Sequence, residues 1–355
     1  MTSPNDLVRD PLFQVNAVLW MAVPLPENAS WNPLLSAAGF QVYAIAPLLG
    51  PPLDVLSEMK ARGITHQERY RPDVVLNREY DRSFAVMECK GRSFGIDSST
   101  ARQATTHLII CGPRLHESLG LADSDVSQGA ALYVTPESDR VLLDGTLRQL
   151  KEKLLASLGH ASDYAILGLE VVAMNEEMSL NLTIDTNSGM FLGLPDPVMC
   201  IASFHRDTDP RPLYLVPYDP DCDQSPEERA FCKRVLYERV HSEILGAMGR
   251  AHPPEDIRIT PEDLLRRAMP GVYDKWENAD SMKHMRGLVR DLLKRLVLMV
   301  NAESKDTLSG NLKLGWTFRL SSPEAQVKVC NLLARFSIEK MDLEKEPEPG
   351  LFDDF

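Results

Sequence analysis

Two acids and a lysine lie close together in the stretch RPDVVLNREYDRSFAVMECKGRSF, residues 71–94. Glu88 and Lys90 are two residues apart, so their side chains would project from the same face of a β-strand. Asp73 lies fifteen residues before Glu88, a separation that a hairpin with the loop NREYDR can close. Carboxylates are ligands for hard divalent cations, and phosphodiester hydrolysis also needs a positive group near the phosphate. The spacing therefore indicates a metal site for hydrolysis, with the backbone carbonyl of Cys89 as a further ligand.

The elements around this stretch would have to carry both acids on strands. A helix is predicted from LDVLSEMKARG, where Leu53, Leu56 and Met59 share one face and Gly63 provides the stop. Two strands are predicted from ERYRPDVVL and RSFAVMECKG, because both runs are β-prone with alternating apolar residues. A second helix follows in SSTARQATTHLIIC, capped by its first serines, and GAALYVT predicts another strand. The predicted order is helix, strand, strand, helix, strand.

This order, together with Pro72-Asp73 and then Glu88-Cys89-Lys90, resembles the PD-(D/E)XK nuclease superfamily over about residues 52–135. That superfamily includes restriction endonucleases, Holliday-junction resolvases and phage-defence nucleases. The resemblance implies a restriction-endonuclease-like core in which the Asp and the Glu bind Mg²⁺, with Mn²⁺ as a substitute. It also implies that the Lys positions or activates the attacking water.

The resemblance extends to two further positions of the predicted site. Some members of the superfamily add an acid from the preceding helix, for which Glu58 is the best placed residue and Glu68 the second choice. Several members carry a polar residue, often Gln, on the helix after the Glu-x-Lys strand. Gln103 corresponds to that position.

Charge is unevenly distributed along the chain. The net charge of −13 argues against a polyanionic partner, but the last seventeen residues alone hold seven acids against two lysines. Residues 60–102 hold nine Lys or Arg against six acids, and residues 281–295 have a net charge of +4. These basic regions are compatible with a local nucleic-acid site. The predicted phosphate contacts are Arg71, Arg92, Lys283, Arg286, Arg290 and Lys294. For the last four, a solvated helix face is the commoner explanation of such a pattern, and a phosphate track is the alternative.

The fold class predicted for the whole chain is α/β. A restriction-endonuclease-like mixed-sheet core would carry an additional β-rich section and a C-terminal helical domain. The predicted regions are an N-terminal β-rich extension at 1–50, the nuclease-like α/β domain at 51–220, the helical domain at 221–341 and an acidic disordered tail at 342–355.

Runs of apolar residues give the finer predictions. Short strands are predicted from AVLWMAV and FQVYAIAPLL near the N-terminus, and a strand end leading into a helix at 141–158. Further strands are predicted from YAILGLEVVAM, SLNLTID, VMCIASFH and PLYLVPY. Helical periods occur at about 226–249, 261–269, 280–300 and 322–340.

Other functional classes have weaker support. No apolar run is long enough for a membrane span and no signal peptide is evident, so we expect a cytoplasmic protein. The six cysteines form no Cys-x-x-Cys pair, and no Walker loop for ATP occurs. His107 and His116 face no obvious acid pair. The alternating acids of YDPDCDQ, residues 218–224, lack the Gly and closing Glu of a calcium loop, so a turn capping the next helix is the better interpretation.

These observations predict an Mg²⁺-dependent DNA endonuclease, which the resemblance would place in a bacterial defence or restriction system. Two alternatives stay open: a non-catalytic nuclease-fold subunit that binds nucleic acid or assembles a complex, and an RNA-directed nuclease. DNA is the expected partner, together with a protein partner or a second copy of the chain. The tail GLFDDF either promotes solubility or docks its Leu and Phe residues into a partner protein.

Overall fold

A computed structural model describes residues 4–24, 30–112, 114–303, 309–311 and 315–341, and these residues form a mixed α/β protein. The predicted acidic tail at 342–355 lies outside the described residues. The chain divides into two compact units. Unit 1 contains Met1–Pro210 and Lys275–Asn278, and unit 2 contains Arg211–Asp274 and Ala279–Phe355.

Unit 1 holds a seven-stranded sheet and its helices. The strands are β1 (Phe40–Ile45), β2 (Val74–Arg78), β3 (Ser83–Cys89), β4 (Gln128–Pro136), β5 (Tyr164–Met174), β6 (Glu177–Thr183) and β7 (Val198–His205). The helices are α1 (Pro4–Leu7), α2 (Pro11–Ala22), α3 (Leu34–Ala37), α4 (Leu53–Ala61), α5 (Ser99–Ile110), α6 (Leu115–Ser118), α7 (Glu137–Leu158) and α8 (Thr186–Leu192).

The sheet is mixed, and its strand order follows the sequence from β1 to β7. β3, β4 and β5 are parallel neighbours, while the pairs on either side of them are antiparallel. Parallel neighbours need a crossover connection. The chain supplies it with α5 and α6 between β3 and β4, and with α7 between β4 and β5. The predicted order of helix, strand, strand, helix, strand is therefore observed.

Both faces of β3 are buried, since all seven of its residues are buried. On one face, Met59 of α4, Leu108 of α5 and Leu147 of α7 pack with Val86 and Tyr133 of the sheet. α2, itself almost wholly buried, contacts β1 and β3. Glu88 thus lies inside the protein on β3, while Asp73 immediately precedes β2 and is half-buried.

The N-terminal region differs from the prediction. The run AVLWMAV belongs mostly to α2. This helix begins after Asp10, whose carboxylate accepts the Leu12 amide at 2.8 Å, and Pro11 lies in its first turn. Nearly every residue of α2 is buried, so apolar residues occur on all of its sides and no amphipathic period is visible in the sequence. The second run, FQVYAIAPLL, does contain the predicted strand, β1. Because β1 is part of the seven-stranded sheet, residues 1–50 are not a separate β-rich extension.

Of two other element predictions in unit 1, one is wrong and one is confirmed. Residues 141–143 lie inside α7 rather than in a strand, because α7 already begins at Glu137 and carries Glu137 and Asp139 in its first turn. The helix after β3 is confirmed, and Ser98 caps it by accepting the Ala101 amide at 3.1 Å.

Three of the four strands predicted between residues 164 and 218 are confirmed as β5, β6 and β7. The fourth run, PLYLVPY, forms no strand; its beginning is a short 3-10 turn, Arg211–Leu213. Pro212 and Pro217 lack the amide proton that a strand ladder needs.

Unit 2 contains the predicted helices and an unpredicted sheet. Its helices are α9 (Pro226–Gly249), α10 (Pro261–Ala268), α11 (Ala279–Glu303) and α12 (Pro323–Ala334). Its antiparallel sheet has the order β8-β10-β9, with β8 (Glu255–Ile259), β9 (Ser309–Asn311) and β10 (Gly315–Leu320). β8 reads EDIRI and is mostly exposed, so it lacks the apolar signal of a strand. The region 221–341 is therefore not purely helical.

Candidate active site

Strand pairing brings the two predicted acids to one place in unit 1. β2 and β3 are antiparallel, with Val74 opposite Met87, and the Asp73 amide donates to the Met87 carbonyl at 3.1 Å. The Cys89 amide, one residue after Glu88, donates to Asp73 Oδ2 at 2.6 Å. The two carboxylates thus lie near each other at the end where β3 stops, and Asp73 helps to raise the pKa of Glu88.

Lys90 and Gln103 complete a hydrogen-bonded cluster around Glu88. The Lys90 ammonium donates to Glu88 Oε1 at 2.6 Å and to Gln103 Oε1 at 3.1 Å. The Gln103 amide donates to the same Glu88 oxygen at 2.8 Å. Gln103 reaches the strand because α5 begins after the loop that follows Lys90 and returns along the sheet. The structure therefore brings together four of the residues predicted from the sequence.

Two main-chain amides donate hydrogen bonds to Asp73, one to its side chain and one to its carbonyl. Its Oδ2 accepts the Cys89 amide at 2.6 Å, and its carbonyl accepts the Ala46 amide at 3.0 Å. Ala46 has a φ of 50°, which is uncommon for a residue with a Cβ. Sparsely populated backbone conformations of this kind tend to occur at functional sites, where the surrounding contacts hold them in place. Sequence reasoning missed Ala46, because nothing in an alanine indicates a positive φ.

Burial dominates the electrostatics of Glu88, whose side chain is 6% exposed. Burial raises the pKa of Glu88 to about 7, Lys90 opposes the rise, and Asp73 adds to it. Burial would lower the pKa of Lys90, but Glu88 outweighs it and the pKa is raised above its usual value. The second carboxylate oxygen, Oε2, is buried and accepts no hydrogen bond from the described residues. Positive charge at that oxygen would stabilise the ionised form of Glu88.

Three buried rings, those of Tyr70, His107 and Tyr133, lie next to the cluster around Glu88. Tyr133 of β4 lies opposite Glu88 in the parallel register, and the His107 ring is 4.9 Å from Tyr133 and 5.4 Å from Tyr70. Burial lowers the pKa of His107 to about 3, and one of its ring nitrogens lies 3.0 Å from the Val86 carbonyl. His107 is therefore a neutral packing residue, in agreement with the weak support for a ligand role. Burial also raises the pKa values of both tyrosines.

The tyrosines were not among the predicted site residues. Their hydroxyl groups are buried and make no hydrogen bond to the described part of the chain. Only the pairing of β3 with β4, which places Tyr133 beside Glu88, shows that this tyrosine belongs to the site. Local sequence pattern cannot provide that information.

The predicted third acid does not join the cluster. Glu58 is 40% exposed and pairs with Arg62 at 2.6 Å on its own helix, while Glu68 is 63% exposed and pairs with Lys60. α4 turns Val55 and Met59 toward the core, which leaves Glu58 at the surface. Among the described residues no group of three or more His, Cys, Asp or Glu side chains could hold a metal. A cation would therefore depend on Asp73, Glu88, a main-chain carbonyl such as that of Cys89, and water.

The chemistry of this small donor set fits a hard divalent cation. Mg²⁺ takes oxygen ligands and commonly uses only one or two carboxylates, keeping several waters. Two neighbouring carboxylates, one of them with a buried oxygen that accepts no hydrogen bond from the described residues, match that preference. The thiol of Cys89 is not needed in such a set.

The predicted nucleic-acid contacts are only partly exposed. Arg71 is half-buried and donates to the Ala46 carbonyl at 3.1 Å, so it has a structural role, while Arg92 is exposed. In unit 2, Arg290 is 4% exposed, which is too little for a contact with a phosphate. Lys283 and Arg286 are half-buried and Lys294 is exposed. Arg290 therefore cannot belong to a phosphate track on 281–295, because the middle of α11 is buried, and the other three positions stay a prediction.

The acids at 219–223 do not cap the next helix as predicted. Ser225 caps α9 by accepting the Glu228 amide at 3.2 Å. Asp219 accepts the Asp221 amide at 3.0 Å, and Ser281 donates to Asp221 at 2.9 Å. These bonds stabilise the turn before α9.

Within the described ranges, the helices are all too short or too polar to cross a lipid bilayer. Comparison of the chain with protein-family models, with curated proteins and with solved structures finds no match.

Proposed function

We propose that this protein is a Mg²⁺-dependent nuclease with a PD-(D/E)XK-like site in unit 1. The observation that carries the proposal is the buried cluster in which Lys90 and Gln103 hold one oxygen of Glu88 while the other has no partner among the described residues. The order of helix, strand, strand, helix, strand around this cluster supports a restriction-endonuclease-like core.

A purely structural ion pair is a weaker explanation of the cluster. Burying charged groups costs several kcal/mol per ion, and a pair offsets this only when its remaining hydrogen-bonding groups are satisfied. Here Asp73 adds a second acid beside Glu88 and raises its pKa further. Perturbed acids of this kind are concentrated at functional sites.

Asp73 and Glu88, with the carbonyl of Cys89, would hold the cation. Mg²⁺, when bound, polarises a phosphate and lowers the pKa of a water. Lys90 stays protonated at neutral pH, because Glu88 outweighs burial and raises its pKa. It therefore acts as a fixed positive charge that orients water or offsets negative charge developing on the phosphate. Gln103 keeps Glu88 in place through its amide.

Exposed cations near the cluster suit a nucleic-acid substrate. Arg92 follows Lys90 by two residues, Arg102 precedes Gln103, and both are exposed. Phosphate contacts from such residues supply affinity without sequence specificity. DNA is the proposed substrate, with RNA as the alternative, and a defence or restriction system is the proposed setting. A protein partner or a second copy of the chain would supply further affinity, because the chain as a whole is acidic.

A second candidate function is a non-catalytic nuclease-fold subunit. It is favoured by one observation, namely that the described residues offer no third acidic, His or Cys ligand near Asp73 and Glu88. Such a subunit would bind nucleic acid without cutting it.

One experiment separates the two. Purified protein is incubated with plasmid, linear duplex, single-stranded DNA and RNA, each with Mg²⁺, Mn²⁺ or EDTA. We expect cleavage with either metal, none with EDTA, and none in Glu88→Gln. Glu68→Gln, which changes an exposed acid paired with Lys60, is the matched control and should cut like wild type. Binding without cleavage in wild type would favour the second candidate.

A further inference from the structure

The N-terminal segment contacts the chain where it leaves β3. Gln14 of α2 donates from Nε2 to the Lys90 carbonyl at 3.1 Å and to the Val8 carbonyl at 2.7 Å. Its side chain is completely buried, in a helix that is otherwise mostly apolar. A buried amide is costly unless it is hydrogen-bonded. These two bonds satisfy the donor group of the amide, and one of them holds the main chain of Lys90, whereas the buried Gln14 Oε1 accepts no hydrogen bond from the described residues.

Arg9 holds the next residues of the same loop. Its guanidinium donates to the Gly91 carbonyl at 3.2 Å and to Asp139 of α7 at 2.8 Å. Asp139 in turn accepts the Ser93 amide at 3.1 Å. Burial would raise the pKa of Asp139, but the Ser93 amide and Arg9 outweigh it and lower the pKa. Asp139 is thus a charged anchor that ties α7, the N-terminal segment and the loop together.

The close approach of Arg9 also explains Gly91. A Cβ on residue 91 would lie 2.2 Å from the Arg9 carbonyl oxygen, a distance that no side chain can tolerate. The backbone of the N-terminal segment therefore passes directly over the residue that follows Lys90. Glycine is the residue that allows such an approach.

We propose that Arg9 and Gln14 are positioning residues that fix the end of β3, so that the Lys90 ammonium meets Glu88 and Gln103. Ends of strands fray, and beyond β3 the Lys90 amide keeps a ladder bond to the Val134 carbonyl at 2.7 Å. The two contacts from the N-terminal segment hold two consecutive main-chain carbonyls, those of Lys90 and Gly91. Displacing a reactive group by about 1 Å can lower a rate about a hundredfold. The consequence for cleavage rests on the proposed nuclease function, whereas the effect on the loop does not.

The first test measures amide hydrogen exchange over residues 88–94. Gln14→Met removes the donors and keeps the side-chain length, and Arg9→Ala, at a half-exposed position, is a second variant that should fold. We expect exchange in this segment to become about tenfold faster in both, which corresponds to a loss of about 1.4 kcal/mol in local opening. Asn16→Leu is the control, because Asn16 is equally buried but donates to the Leu12 carbonyl of its own helix. Unchanged exchange in Gln14→Met and Arg9→Ala, or the same increase in Asn16→Leu, would overturn the proposal.

The second test compares metal affinity with cleavage in the full-length protein. Gln14→Met should lower the cleavage rate about tenfold, yet leave Mn²⁺ affinity within about twofold of wild type, because Lys90 is not a ligand. A general disturbance of the site would lower both quantities together, and that result would contradict a positioning role. If wild type cuts no nucleic acid, the nuclease function fails, while the exchange measurement still decides whether the N-terminal segment fixes the loop.

Discussion

Two Glu–Lys pairs in unit 1 have the same chemistry and opposite properties. Glu88 and Lys90 have side chains that are 6% and 16% exposed, whereas Glu68 and Lys60 are 63% and 54% exposed. Burial raises the pKa of Glu88 to about 7 despite its lysine. The hydrogen bond from Lys60 lowers the pKa of Glu68. A glutamate paired with a lysine can therefore have either a raised or a lowered pKa.

The difference lies in what surrounds each pair. Water and salt screen the exposed pair, and such pairs contribute little to stability. Asp73 lies near the buried pair and adds to the raised pKa of Glu88, and one Glu88 oxygen has no partner among the described residues. A buried acid that its lysine satisfies only in part is a group that a bound cation can stabilise. This contrast makes the exposed pair a control for every test of the buried one.

The largest effect is expected from removing the buried lysine, with the exposed lysine as the control. Lys90→Ala should lower nucleic-acid cleavage by about 10²–10⁴-fold, because it removes the positive charge beside the reacting phosphate. Metal affinity should stay the same or increase, since a neighbouring cation is lost. Cleavage rates and Mn²⁺ titrations of both variants measure the two effects, and Lys60→Ala should match wild type in each. A Lys90→Ala variant that cuts at the wild-type rate would show that the buried pair has no catalytic role.

The next effect concerns stability and pH. With the pKa of Glu88 raised from 4.5 to about 7, the folded protein keeps a proton that the unfolded chain releases. Stability should therefore fall as pH rises through the window from about 4.5 to 7, by roughly 3 kcal/mol in total. Glu88→Gln lacks this proton and should lose that part of the pH dependence. Lys90 stays charged throughout the window, because its pKa is raised.

Urea unfolding at pH 5 and pH 8 in the absence of divalent metal measures this difference. Glu68→Gln should follow the wild-type pH dependence, because the pKa of Glu68 is lowered in the folded protein and the acid is already largely ionised in both states at pH 5. If wild type and Glu88→Gln lose stability equally between the two pH values, Glu88 ionises normally.

The smallest effect concerns the rings beside the buried pair. The Tyr133 hydroxyl has no partner among the described residues, whereas the Tyr164 hydroxyl donates to Asp144 at 2.8 Å. Tyr133→Phe should leave the free energy of unfolding unchanged or raise it slightly, and Tyr164→Phe should lower it by about 1 kcal/mol. Thermal unfolding compares the two. A larger loss in Tyr133→Phe would show that its hydroxyl is hydrogen-bonded through water.

The parts of the site that could be predicted are those that local spacing determines. Glu88 and Lys90 share a strand face, Asp73 is one hairpin away, and Gln103 lies on the next helix. Arg9 lies 82 residues from the loop that it holds, so no short-range pattern could reveal it.

The same limit explains what was missed in the fold. α2 is buried on nearly all sides and so lacks the period that marks an amphipathic helix, while β8 is too charged to resemble a strand. Glu58 had the right chemistry and the right helix, but the packing of Val55 and Met59 turns it outward. In each case tertiary packing, rather than local propensity, determines the outcome.

Calorimetric titration of Mn²⁺ into wild type, Glu88→Gln and Glu68→Gln tests the central claim most directly, namely that Asp73 and Glu88 hold a divalent cation. We predict one bound ion in wild type, affinity reduced at least about tenfold in Glu88→Gln because a charged ligand is lost, and wild-type affinity in Glu68→Gln. No binding to wild type, or equal affinity in wild type and Glu88→Gln, would contradict the claim.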